Sequence, residues 1–202
     1  MIKYIIAAII LATLCKFKKS NTLVSTFNFI KQEPTVSKTE QTKIFRLLNK
    51  VRANKTKYQT SFKIDPSIKI NKKQLVYNKF LESAAEQKAL DMANRNYFNH
   101  INPDGFAMNY FINEAGYKLP ANYLTSINLN YFESIGAGVN NGEAMLKFLI
   151  IDDGVPSFGH RNHLLGVGDF NKSLVDIGIG FVNTDSANSA FITYCCILIA
   201  KH

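Results

Sequence analysis

Residues 190–200 read "AFITYCCILIA", a nearly unbroken apolar run close to the C-terminal end of the chain. A strand with no polar face cannot leave one side of its sheet to water, so this segment requires cover on both faces. Just upstream, "LVDIGIGFVN" alternates as a strand does, and the turn-rich "NTDSANS" joins the two as an antiparallel hairpin. Cys195 and Cys196 are adjacent within the run. On a strand they point to opposite faces and do not bond to each other, so they read as two small buried hydrophobes and no disulfide framework follows.

The cover has to come from earlier in the chain. Ile44, Leu47, Leu48, Val51 and Tyr58 recur at helical spacing and predict a first amphipathic helix. After "KIDPSIKINKKQ", a stronger stripe of Phe80, Leu81, Ala84, Ala85, Ala89 and Met92 predicts a second helix over about 75–97, leaving His100 just past its last turn. "NPDGFAMNYFINEAGY" offers Asp104 as an N-cap and Gly116 as a stop for a short third helix. "YFESIGAG" is a candidate strand carrying Glu133, and a fourth helix over 143–151 is halted by "DDGVP". Helices come first and strands last, which reads as an α+β fold with helices packed on a sheet.

The opening "MIKYIIAAIILATLCKFKK" has one lysine and then an apolar run from Tyr4 to Cys15. That run is shorter than the roughly 20 residues a membrane span needs but suits a secretory signal, with a lipidated Cys15 or an uncleaved anchor as alternatives. The expected organisation is a signal peptide or anchor at 1–20, a polar linker at 21–40 and one domain at 41–202, located outside the cell or on its surface. The formal charge is +9, but the lysine clusters "CKFKKS", "NKTKYQ" and "IKINKKQ" carry no nucleic-acid-binding motif. No nucleic-acid partner is expected; a basic exterior suits association with an anionic membrane surface or wall polymer.

Chemistry-bearing residues are few. The chain has four histidines, and "GHRNHLL" places His160 and His163 three residues apart. Two imidazoles alone make a weak metal site, since zinc sites need further ligands; His100, Glu133, Asp152 and Asp153 are the candidates to complete one. "IGAG" and "IGIG" lack the glycine spacing and following helix of a dinucleotide site, so no nucleotide cofactor is expected and the glycines read as points of close approach. Nothing matches a nucleophile elbow, and no cysteine is placed for nucleophilic attack.

Four strings in order, "YFNHINPDGFAMNYFINEAGY", "ESIGAG", "GVPSFGHRNHLL" and "VDIGIGFV", resemble the CAP superfamily: the cysteine-rich secretory, antigen 5 and pathogenesis-related-1 group, with its SCP-like members. The resemblance spans roughly residues 41–200. It implies an α-β-α sandwich with a central, mainly antiparallel sheet flanked by helices, and a cleft where two histidines and two acidic residues can bind a divalent metal, often zinc. Carried onto this chain, the cleft residues are His100, Glu133, His160 and, as the best match for the second acidic residue, Asp152, with Asp153 next; Arg161 and Asp153 support the ligand cleft. The chain departs from the pattern where Phe132-Glu133-Ser134 replaces the usual Gly-Glu-Asn, and where aspartates stand in place of a longer carboxylate.

Three functions follow as expectations. The first is an exported binding module for lipid or sterol, an envelope polymer or a protein partner. The second is a zinc-dependent hydrolase in which Glu133 acts as general base toward bound water. The third is a surface interaction protein whose imidazole and carboxylate groups only hold helix ends against the sheet.

Overall fold

The computed structural model describes residues 33–184 and 189–201. The N-terminal apolar run, Cys15 and most of the expected linker lie outside the described residues. In chain order the elements are β1 (Thr35–Val36), α1 (Lys38–Ala53), α2 (Lys55–Tyr58), β2 (Val76–Tyr77), α3 (Lys79–Asn94), α4 (Met108–Glu114), β3 (Glu133–Ala137), α5 (Gly142–Ile151), α6 (Gly159–Leu165), α7 (Gly168–Ser173), β4 (Asp176–Asn183) and β5 (Thr193–Ala200).

The expected C-terminal hairpin is the centre of the molecule. β4 and β5 pair antiparallel along their length, β3 adds antiparallel to the far side of β5, and β1 adds antiparallel to β4. β2 is the one parallel addition, also on β4. The path is β1-β4-β5-β3, so the sheet is mainly antiparallel and β3 is an edge.

Every residue of β5 is buried, as its apolar run demands. Register shows what buries it. Gly180 and Ile135 both pair with Cys196, whereas Phe181 and Gly136 both pair with Cys195. Paired residues share a face and successive residues alternate, so Gly178, Gly180, Cys196 and Glu133 face one side, and Ser134, Gly136, Phe181 and Cys195 the other.

A Cβ on Gly178 or Gly180 would collide with the α3 backbone at Leu81 and Ala85; one on Gly136 would strike Met145 and Leu149 of α5. The two helices therefore cover opposite faces, giving an α+β fold of the α-β-α kind. α1 lies with α5, since Gly142 abuts Glu40 and Ile44.

α3 can approach so closely because its inward stripe alternates small and large residues: Leu81, Ala84, Ala85, Ala89 and Met92 are all fully buried. Burying the larger side chains stabilises the contact by about 1.5–3 kcal/mol each. Asn78 caps the helix, accepting from the amides of Phe80 and Leu81.

Several local details differ from the sequence expectations. The first helix breaks at Asn54, which ends α1 and caps α2. The second begins at Lys79 because Val76 and Tyr77 pair with β4 instead. Asp104 does not cap α4: Ala107 holds the N-cap position, and the Asp104 carboxylate lies on Arg95 at 2.6 Å. The stretch between α5 and β4, to which periodicity gave no element, forms α6 and α7. Residues 35–40, expected in the linker, belong to the folded unit as β1 and the start of α1. Among the described residues, no helix is long and apolar enough to cross a membrane.

Candidate functional site

The expected site residues assemble as two separate histidine–carboxylate pairs. In the first, Nδ1 of His100 lies 2.6 Å from Oε2 of Glu133. The carboxylate is the buried partner, with no exposed side-chain surface, whereas the imidazole is 45% exposed. An ionised carboxylate only accepts, so Nδ1 is the donor in this contact and Nε2 is the ring nitrogen left for another partner.

Asn130 Nδ2 donates to the same carboxylate oxygen at 2.9 Å, and the Cys196 thiol approaches the other at 3.5 Å. Burial pushes that thiol well above its ordinary range, so it is a neutral donor here. A buried carboxylate needs such partners, because leaving its oxygens bare is far costlier than leaving a neutral group bare.

The loop that carries His100 is held from below by Lys88. This lysine is buried on α3 and donates Nζ to the carbonyls of Asn99 at 2.7 Å and His100 at 3.0 Å, with the Tyr97 hydroxyl at 3.3 Å. Periodicity had assigned residue 88 no role. A lysine adjoining the fully apolar stripe of α3 was the available signal.

The second pair comes from the other face of the sheet. α5 ends at Asp152 in a left-handed conformation, φ 54°. That turn directs Oδ1 to Nδ1 of His160 at 2.7 Å, while Oδ2 accepts from the Arg161 amide at 3.2 Å. Again the carboxylate is buried and the imidazole is the more exposed partner.

Arg161 caps the C-terminal end of α5 rather than pairing with a carboxylate side chain. Its Nε donates to the Ile150 carbonyl at 2.7 Å and its Nη2 to that of Ile151, and the guanidinium stacks on the Phe158 ring at 4.2 Å. A cation there also complements the negative end of the helix dipole. Asp153 is exposed and, with Lys63, Asp65 and Phe158, lines a surface hollow that contains no histidine.

His163 has a different setting. It is buried, receives the Ser134 hydroxyl on Nδ1 at 2.8 Å and turns Nε2 toward the Ile199 carbonyl at 3.5 Å. Burial is the main cause that pushes its pKa down to about 4; the carbonyl acts the other way, and His160, Arg52 and His100 add to the depression. Ser134 is itself fully buried, so this contact is not an accessible nucleophile and base. Glu133 and Ser134 are consecutive on edge strand β3. They point to opposite faces, one carrying the His100 pair and the other anchoring α6 through His163.

The donor set decides what these groups can hold. Both carboxylates are turned to Nδ1 of an imidazole, where they orient the ring and fix its tautomer, as partners of metal-binding histidines do. Among the described residues, no three metal-ligating side chains stand together, so the expected set of His100, His160, Glu133 and Asp152 is not assembled as a four-ligand centre. What the pairs provide is two oriented Nε2 atoms. The Glu133 side chain is buried and its two oxygens are shared by His100, Asn130 and Cys196.

Comparison with known proteins places this geometry in context. A family profile described as CAP, cysteine-rich secretory protein family, matches residues 45–198. Two solved structures are similar. One is an extracellular protein containing an SCP domain from Bacillus anthracis str. Ames, with 19% identity and a TM-score of 0.48, covering 80% of this chain. The chain spans 40% of that protein. The other is an outer surface protein from Borrelia burgdorferi, with 14% identity and a TM-score of 0.47, covering 83% of this chain and 100% of that one. No curated protein matches the chain. The profile takes in β3, both histidine–carboxylate pairs and the β4–β5 hairpin, and on that ground the chain belongs to the CAP family of cysteine-rich secretory proteins.

Proposed function

We propose that this protein is an exported CAP-domain binding module that acts outside the cell or at its surface. Its ligand classes are a lipid or sterol, an envelope polymer, or a protein partner. The observation that carries binding over hydrolysis is the engagement of both carboxylates with imidazole Nδ1 atoms, which leaves no free acid or base beside an accessible nucleophile. Family membership and the apolar run from Tyr4 to Cys15 support export.

Thermal unfolding in the presence of a sterol, a fatty acid and cell-wall fragments tests this reading, since a ligand that binds only the folded state raises the melting temperature. A rise with one of them supports it; no rise with any, at concentrations up to solubility, refutes the lipid, sterol and polymer classes.

A second reading is favoured by the two carboxylate-oriented rings: His100 and His160 would each offer Nε2 to zinc or another divalent ion. Calorimetric zinc titration of the parent beside a His100→Ala/His160→Ala variant decides it. Stoichiometric heat from the parent alone supports the reading; equal heat from both, or none from either, refutes it.

A further inference from the structure

A cavity of about 590 Å³ opens between α3 and the loop that leads into α4, and none of His100, His160 and His163 lines it. Its two walls differ in chemistry. One is aromatic: Phe106, Tyr110 and Phe111 pack together with ring centroids 4.6, 5.3 and 6.0 Å apart. The other is a polar stripe along α3 and its C-cap, in which Gln87, Asp91 and Arg95 follow one another at four-residue steps and so share one face.

The polar wall is rigid before any ligand arrives. Arg95 holds Asp91 with two bonds of 2.6 Å and reaches across to Asp104 with a third of 2.6 Å. Asp91 is tied further by the Tyr97 hydroxyl at 2.6 Å. Gln87 is exposed, and its amide makes one contact of 3.5 Å, with Ser83 on its own helix. The Tyr110 hydroxyl makes no hydrogen bond to a described residue.

These features select a ligand class. The charges lining the cavity, Asp91, Asp104, Arg95 and Lys88, cancel, so no surplus cation awaits a phosphate or carboxylate and no surplus anion awaits an amine. A sterol or acyl chain would cover the aromatic wall but would take the ion-paired wall out of water with nothing to replace its hydration. A sugar ring satisfies both walls: its C–H face packs on the aromatic rings, and its hydroxyls hydrogen-bond to a carboxylate and a guanidinium already fixed in place and to the exposed Gln87 amide.

We propose that the cleft between α3 and the 102–111 segment is a binding site for a neutral saccharide, with Tyr110 and Phe106 as the stacking surface and Gln87, Asp91 and Arg95 as the hydrogen-bonding edge. This site is separate from the histidine–carboxylate pairs and stands whether or not those pairs bind anything.

The test is a ¹H–¹⁵N titration of the full chain with chitotriose, with cellotriose and, as the lipid control, with oleate. The expected result is saturable perturbation of the amides of 87–95 and 102–111 by at least one triose. Affinity should fall about tenfold in Tyr110→Ala and in Gln87→Ala, the change that 1.4 kcal/mol produces, and stay unchanged in His100→Ala. Gln87 is exposed, so its variant keeps the test independent of any packing lost at Tyr110.

Three results each overturn the proposal: no perturbation by either triose at about 10 mM, perturbation of this cleft by oleate alone, or perturbations confined to other residues. Loss of binding in His100→Ala with retention in Tyr110→Ala would move saccharide binding to the histidine pairs instead.

Discussion

Replacing His163 with glutamine isolates the energetic consequence of one buried imidazole. In the folded chain the ring is neutral, with its pKa pushed down to about 4, while in the unfolded chain it takes up a proton near its ordinary value of about 6.5. Between those two values the unfolded state binds a proton that the folded state does not. The contribution of His163 is therefore fully present above about pH 6.5 and is lost as pH falls toward 4. Between about pH 7.5 and pH 4.5 the loss amounts to roughly 2–3 kcal/mol.

Glutamine cannot titrate, yet its amide can accept from the Ser134 hydroxyl and donate to the Ile199 carbonyl, the two contacts His163 makes. The variant should lose about 1 kcal/mol at neutral pH through imperfect geometry. The two stability curves should then cross, with the parent more stable at about pH 7.5 and the variant more stable at about pH 4.5. Urea unfolding followed by circular dichroism at four pH values across that range measures both curves. Parallel curves would refute the reasoning, because they would mean that His163 takes up its proton equally in the folded and unfolded states.

Three further outcomes follow from the geometry. Gly180→Ala drives a methyl group into the α3 backbone at Ala85 and should destabilise the fold by about 3 kcal/mol or more in thermal unfolding; a change under about 1 kcal/mol would contradict the close approach. Asp152→Asn keeps a residue that tolerates the left-handed conformation but weakens the contacts to His160 and the Arg161 amide, costing about 2 kcal/mol, whereas Asp153→Asn, at an exposed position, should stay within about 0.5 kcal/mol. In Glu133→Gln the His100 ring loses its obligate acceptor, so long-range ¹H–¹⁵N spectra at alkaline pH should show Nδ1–H as the sole tautomer in the parent and a mixture in the variant. An unchanged tautomer would show that the carboxylate does not set it.

The separation between what the sequence announces and what folding decides follows the range of the interactions involved. The apolar run at 190–200 and the alternation of "LVDIGIGFVN" are local statements about which faces must be covered, and they were sufficient to predict the hairpin at the heart of the sheet. The long stripe of α3 likewise declares itself through its own period, and the order of four motif strings was enough to identify the family. Short elements had no such voice. β1 and β2 are two residues long and exist because β4 offers them free backbone groups; α6 and α7 are too short to be stable alone and are held by what they pack on.

The site divides in the same way. Its residue types, His100, Glu133, His160 and an aspartate after α5, were legible in the chain. Which carboxylate meets which imidazole was not, because Asp152 and Asp153 are chemically identical and adjacent. The left-handed turn that ends α5 buries the first against His160 and leaves the second in water. Sequence likewise gives His160 and His163 the same side chain. Three residues of helix separate a partly exposed ring on a carboxylate from a buried ring on a serine, and only the packing of α6 against β3 makes that difference.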